Sequence, residues 1–89
     1  MEDILKIFKA LSCEWRIEIL KRISRKCICI CELDKEINID KTTISRHIKA
    51  LREAGLISIE KNGVRKNLKI KDERVLDIIN IAEEIAVEK

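Results

Sequence analysis

Proline is absent from the 89 residues, glycine occurs twice, tyrosine is missing, and phenylalanine and tryptophan appear once each. With so little punctuation and so much Ile, Lys and Glu, the chain favours helices. No apolar run approaches the length needed to span a membrane. Nor does the amino end read as an export signal: Glu2 and Asp3 stand where basic residues belong, and Lys6 and Lys9 interrupt the apolar positions. The expected location is the cytoplasm, where four cysteines are by default reduced thiols. Cys-x-x-Cys, a phosphate-cradling glycine loop and a paired acid and base are all missing, so an enzyme is the weakest functional class. At this length the chain supports one domain spanning residues 1–89, which gains stability if a subunit interface adds buried apolar area.

What is present is a segregation of charge. From Lys41 to Lys71 the chain carries Lys41, Arg46, Lys49, Arg52, Lys61, Arg65, Lys66, Lys69 and Lys71 against only Glu53 and Glu60, whereas the tail from Asp72 onward is acidic and the first forty residues balance. A basic middle third in a chain of net charge +3 is suited to a polyanion.

Apolar spacing predicts a first helix over about 2–11 (Ile4, Ile7, Phe8, Leu11) and a second over about 13–24, capped by Ser12 and buried along Ile17, Leu20 and Ile23. Trp15 is expected to pack on the core, the alternative being a subunit contact. A short third helix over about 30–37 leads through a turn to Asp40, the N-cap of a fourth helix that begins at Lys41 and closes at Gly55. Ile44, His47, Ile48 and Leu51 face inward on it; Thr42, Thr43, Ser45, Arg46, Lys49 and Arg52 face outward. After Gly55 the period becomes alternating on either side of Asn62-Gly63, a hairpin signal. A last helix over about 72–87, capped by Asp72, has an apolar stripe wider than one small core needs.

The fold class these elements predict is mainly α with a β-hairpin wing, a winged helix-turn-helix in the order α-α-α-α-β-β-α, with the helix-turn-helix at about 30–54 and the wing at about 56–71. The fourth helix suits the major groove: Lys41, Thr42, Thr43, Ser45 and Arg46 reach phosphates or base edges, Arg46 with the fork that guanine favours. Lys49, Arg52 and the wing residues Lys61, Arg65 and Lys66 are expected on phosphates. The competing reading of a basic helix is a solvated face; a basic hairpin directly after it argues for double-stranded DNA. His47 reads as a packed, hydrogen-bonded residue rather than a ligand.

Phe8-Lys9-Ala10-Leu11-Ser12, Arg16, Ile19-Leu20, Cys29-Ile30-Cys31-Glu32-Leu33 and Ser45-Arg46-His47-Ile48-Lys49-Ala50-Leu51-Arg52-Glu53-Ala54-Gly55-Leu56-Ile57 resemble, in order and spacing, the ArsR/SmtB family of metal-responsive repressors. The resemblance implies a homodimer, here through the first and last helices, on a palindromic operator in its own promoter, released when a metal or metalloid binds. Cys29 and Cys31 fall on the family's Leu-Cys-Val-Cys-Asp-Leu box. Cys27 replaces the Glu that opens it, Asp34 stands where a third Cys would follow, and Cys13 takes a position usually held by Asp. The last helix has no His, so the family's zinc site there is not expected.

Thiolates select arsenite- or antimonite-like metalloids, cadmium or lead over hard cations, and no cofactor is obligatory. In an extended start, Cys27, Cys29 and Cys31 converge as three sulfurs; in a regular helix Cys29 points away from the other two. Two other readings of the cysteines stay open. They are small core hydrophobes, or they do redox chemistry, in which case Cys13 or a second subunit is the expected disulfide partner, because cysteines two apart seldom bond comfortably. A further alternative for the whole chain is an interaction module in a larger transcription assembly.

Overall fold

The computed structural model describes residues 2–88. Its elements are α1 (Glu2–Leu11), α2 (Glu14–Arg25), β1 (Ile28–Cys29), α3 (Ile30–Glu36), α4 (Lys41–Glu53), β2 (Ile57–Asn62), β3 (Arg65–Ile70) and α5 (Arg74–Glu88). The winged helix-turn-helix and its mainly helical character are as the periodicity predicts. β1 is an addition, which changes the order to α-α-β-α-α-β-β-α. It lies antiparallel to β3, Ile28 opposite Leu68 and Cys29 opposite Asn67, so the sheet runs β1-β3-β2. A two-residue strand is too short for any period to reveal. It is held by burial of Ile28 and Leu68, both fully inaccessible; burying such a side chain contributes about 1.5–3 kcal/mol.

One apolar cluster unites the layers: Ile19, Leu20 and Ile23 of α2, Leu33 of α3, Ile44, Ile48 and Leu51 of α4, Ile57 and Leu68 of the hairpin, and Val75 and Ile79 of α5. α4 ends through a Schellman arrangement. The Leu56 amide donates to the Leu51 carbonyl and the Gly55 amide to that of Arg52, with Gly55 at φ +80° and Leu51 and Leu56 both buried. That closure aims the chain directly into β2.

Several local expectations are corrected. Cys13, not Ser12, is the N-cap of α2, and it makes no side-chain cap bond; the Ser12 hydroxyl donates backwards to the Lys9 carbonyl. Trp15 stays 38% exposed instead of joining the core, because Ile19, Leu20 and Ile23 already fill the inner face of α2. α5 begins at Arg74, two residues after Asp72, whose carboxylate accepts from the Arg74 amide and guanidinium. The hairpin pairs Asn62 with Arg65, so its two loop residues are Gly63 and Val64. Only Gly63 has positive φ, +66°, the pattern of a type II′ turn rather than the type I′ turn that Asn-Gly favours when both occupy the loop.

Candidate nucleic-acid interface

α4 is placed by its cap. Asp40 accepts from the Thr43 amide at 3.2 Å and from the Thr43 hydroxyl at 2.5 Å, and these bonds hold its carboxyl below the usual carboxylate range. Thr43 is therefore half-buried against the cap with its hydroxyl donor already used, unlike the outward role expected for it. Lys41, Thr42, Ser45, Arg46, Lys49 and Arg52 are all exposed on the opposite side from Ile44, Ile48 and Leu51. Within this face the carboxylate nearest a cation is Glu53, 3.9 Å from Lys49.

The wing continues that surface. Lys61, Arg65 and Lys66 are exposed, and Val64 at the tip is fully so. The register sets Lys61 directly opposite Lys66. Like charges facing each other across a ladder weaken a hairpin, a cost that a bound polyanion reverses. Lys69 differs, since its ammonium lies 3.0 Å from Glu60. Arg65 is also engaged: its guanidinium donates to Glu32 of α3 at 2.5 Å.

His47 lies on the inner side of α4, half-buried, and its Nδ1 accepts from Arg16 Nε of α2 at 3.1 Å. Burial first, and the Arg16 charge second, push its pKa below the ordinary imidazole value. The same Arg16 donates to the Lys9 carbonyl at the end of α1. The recognition helix is thus tied to the α1–α2 corner through one imidazole.

The cysteines divide. Cys29 and Cys31 are paired sulfur to sulfur, with Cα atoms 5.4 Å apart, at the junction of β1 and α3. This corrects the expectation that Cys13 or another subunit would be the partner: Cys29 is the extended N-cap and Cys31 the second helical residue, and this change of backbone direction lets side chains two apart meet. Cys13 is free and half-buried; Cys27 is free and exposed. Among the described residues, no three His, Cys, Asp or Glu side chains gather as a metal site. Cys29 and Cys31 thus meet as a disulfide, with Cys27 outside the pair. Cys29 itself is 1% exposed and its sulfur accepts from the Glu32 amide at 3.3 Å, while Glu32 Oε1 accepts from the Cys29 amide at 3.5 Å. This is a capping box with cysteine in the place of serine.

α1 and α5 expose Ile4, Leu5, Phe8, Ile78, Ile81 and Ile85. Phe8, Leu11, Ile17, Ile78, Ala82 and Ala86 line a groove of about 370 Å³. None of the described helices is long and apolar enough to cross a membrane.

A short bihelical unit whose second helix turns a basic polar face outward, followed by a basic hairpin, defines a winged helix-turn-helix DNA-binding protein. The sequence profile of the bacterial regulatory protein, arsR family, matches residues 13–58. An uncharacterized HTH-type transcriptional regulator of Methanocaldococcus jannaschii is 33% identical over 85 residues, which is 94% of this chain and 96% of that one. The arsenical resistance operon repressor of Staphylococcus xylosus is 30% identical over 89 residues, 93% of this chain and 86% of that one. The fold is shared with a homodimeric winged helix-turn-helix domain from Mycobacterium bovis, with a TM-score of 0.86 at 23% identity, covering 98% of this chain and 81% of that one. The chain belongs to the ArsR family of bacterial regulatory proteins and is a DNA-binding transcriptional regulator.

In the sequence Glu32 and Arg16 stand only within the stretches that carry the family resemblance, and neither is given a role there. The spacing of Glu32, three residues after Cys29, carries the capping-box signal once cysteine is admitted as a cap. Nothing local in the sequence pairs Arg16 with His47, 31 positions away.

Proposed function

We propose that the protein is a homodimeric cytoplasmic repressor whose grip on a palindromic operator is released by a thiophilic metalloid or metal at Cys29 and Cys31, with Cys27 as third thiolate. The observation that carries this reading is the meeting of the Cys29 and Cys31 sulfurs at the start of α3, the helix that precedes α4. Once the disulfide is reduced by a cellular dithiol or thiol, the two thiolates are soft donors that suit As(III), Sb(III), Cd(II) or Pb(II). Each thiol that takes arsenite gives up its proton, which leaves with a metalloid hydroxide as water. Cys27, exposed two residues before Cys29, reaches the pair if the short segment after α2 folds over it. The name of the Staphylococcus xylosus relative points to the same class of effector.

In the bound dimer, Lys41, Thr42, Ser45 and Arg46 of α4 enter the major groove, with Thr43 supporting the cap. Lys49, Arg52, Lys61, Arg65 and Lys66 meet phosphates. The apolar faces of α1 and α5 join the subunits.

A second reading is favoured by the bonded state of the same pair. Two thiols reduce a peroxide to water, lose two protons and two electrons, and close the Cys29–Cys31 disulfide; release then follows oxidation instead of a metalloid.

Cys29→Ser separates the site from the rest. Fluorescence anisotropy on duplex DNA from upstream of the gene is expected to show intact binding by the reduced variant. Arsenite-induced release, about 5- to 150-fold in the native protein if the coupling is of ordinary size, is expected to vanish. Full release of Cys29→Ser by arsenite would exclude this pair as the site.

A further inference from the structure

The thiol pair is connected to the wing by more than proximity. Cys29 lies in β1, whose ladder partner is the wing strand β3, with Cys29 opposite Asn67. The capping box binds Cys29 and Glu32 in both directions, sulfur to amide and carboxylate to amide. The carboxylate oxygen that closes the box, Glu32 Oε1, is also the one that accepts from Arg65, two residues before Asn67 on β3. One acidic side chain therefore touches both the sulfur-bearing residue and a wing cation, and α3, at seven residues, depends on its cap for a defined first turn.

We infer that Glu32 is a positioning residue that competes with DNA for Arg65, and that bridging Cys29 to Cys31 is what holds it in place to do so. A bridge fixes the Cys29 side chain where the Glu32 amide meets its sulfur, and so fixes the start of α3 with the Glu32 carboxylate turned to the wing. Unbridged, the Cys29 sulfur is free to rotate off the cap, the box loosens, and Arg65 is released to a phosphate. The direction agrees with derepression: sulfurs joined, one cation per wing withdrawn. The inference rests on the DNA-binding and thiol-effector reading above and specifies how the two sites communicate.

The size of the effect follows from exposure. Glu32 and Arg65 are 37% and 54% exposed, so their pair is solvent-screened; such pairs shift an equilibrium by about 1.5- to 5-fold each, hence about 2- to 25-fold for the two wings of a dimer. This is part of an allosteric response, not all of it.

The test uses the full-length protein, DNA from upstream of the gene, and phenylarsine oxide, whose oxygen leaves as water as its arsenic joins two thiols. Affinity is measured across a salt series, with and without the probe, for the native protein and Glu32→Gln, which keeps an acceptor for the Cys29 amide but gives up the charge. In the native protein the probe is expected to weaken binding and to lower the salt slope by about 0.9 per wing, one phosphate contact each. In Glu32→Gln the slope is expected to stay unchanged by the probe and the wing's share of the release to disappear. Arg65→Ala, on the exposed wing, is expected to show the low slope with or without the probe. A Glu32→Gln protein that loses the same slope as the native one on bridging would overturn the inference while leaving the regulator reading intact. A native protein that binds DNA but ignores the probe would overturn the thiol-effector reading itself, and this inference with it.

Discussion

At the scale of single residues, the Arg16–His47 hydrogen bond ties the recognition helix to α2. Because Nδ1 accepts a hydrogen bond from a guanidinium, the imidazole is neutral there, and protonation would put two cations against each other. The folded pKa is lowered from 6.5, so below that value the unfolded chain binds the proton and the folded chain resists it. The His47 contribution to stability is therefore fully present above about pH 6.5 and is lost as pH falls through the folded value. Chemical denaturation between pH 7.5 and 5 is expected to show declining stability in the native protein and a flatter profile in His47→Gln. Identical slopes would mean that the imidazole takes no part. His47 was legible as an inward, hydrogen-bonded residue from helix phase alone. Its partner was not, since helix phase gives a direction and not the identity of what waits there.

At the scale of elements, periodicity located α1, α4 and the hairpin closely because each has a full amphipathic repeat and a chemical stop. Asp40 and Gly55 bracket α4, and alternating Ile57 and Ile59 mark β2. β1 escaped because two residues have no period, and its absence from the reading hid the connection between the cysteines and the wing. Trp15 was misplaced for a related reason: amphipathicity says that a helix has an inner face, but not which border residues the neighbours leave uncovered.

The two DNA-facing elements should fail differently. Arg46→Ala on α4 is expected to cost about 1–3 kcal/mol of operator affinity and to relax preference at one base pair. Lys61→Ala, on the wing, is expected to weaken operator and random duplexes alike, with a salt slope smaller by about 0.9 per wing. Competition binding with single-base operator variants measures both, and an Arg46→Ala protein with unaltered preference would place that side chain on a phosphate.

At the scale of the whole molecule, charge and apolar surface lie on different parts of the chain: the basic α4 and wing on one, the exposed Ile4, Phe8, Ile78, Ile81 and Ile85 of α1 and α5 on another. The sequence showed the surplus stripe on the last helix, and the fold adds that of its described residues Val75 and Ile79 are buried, with Leu76 partly buried against the core. A face of this kind on a chain of 89 residues is suited to a second copy, which doubles the number of phosphates met by one complex. Ile81→Glu, exposed in the subunit, is expected to leave the helical content unchanged while shifting sedimentation from dimer to monomer and weakening operator binding by at least tenfold. A dimer of undiminished affinity would put the interface elsewhere.

On the proposed function, DNA affinity is set by the state of one sulfur pair. The most direct measurement is anisotropy of upstream duplex DNA bound to fully reduced protein, titrated in turn with arsenite, antimonite, cadmium, lead and zinc. Release by a thiophilic ion at one equivalent per protomer, reversed by excess dithiol, is the predicted result. Stable binding to a palindrome that none of these ions disturbs would contradict it and leave the pair to redox chemistry or to packing.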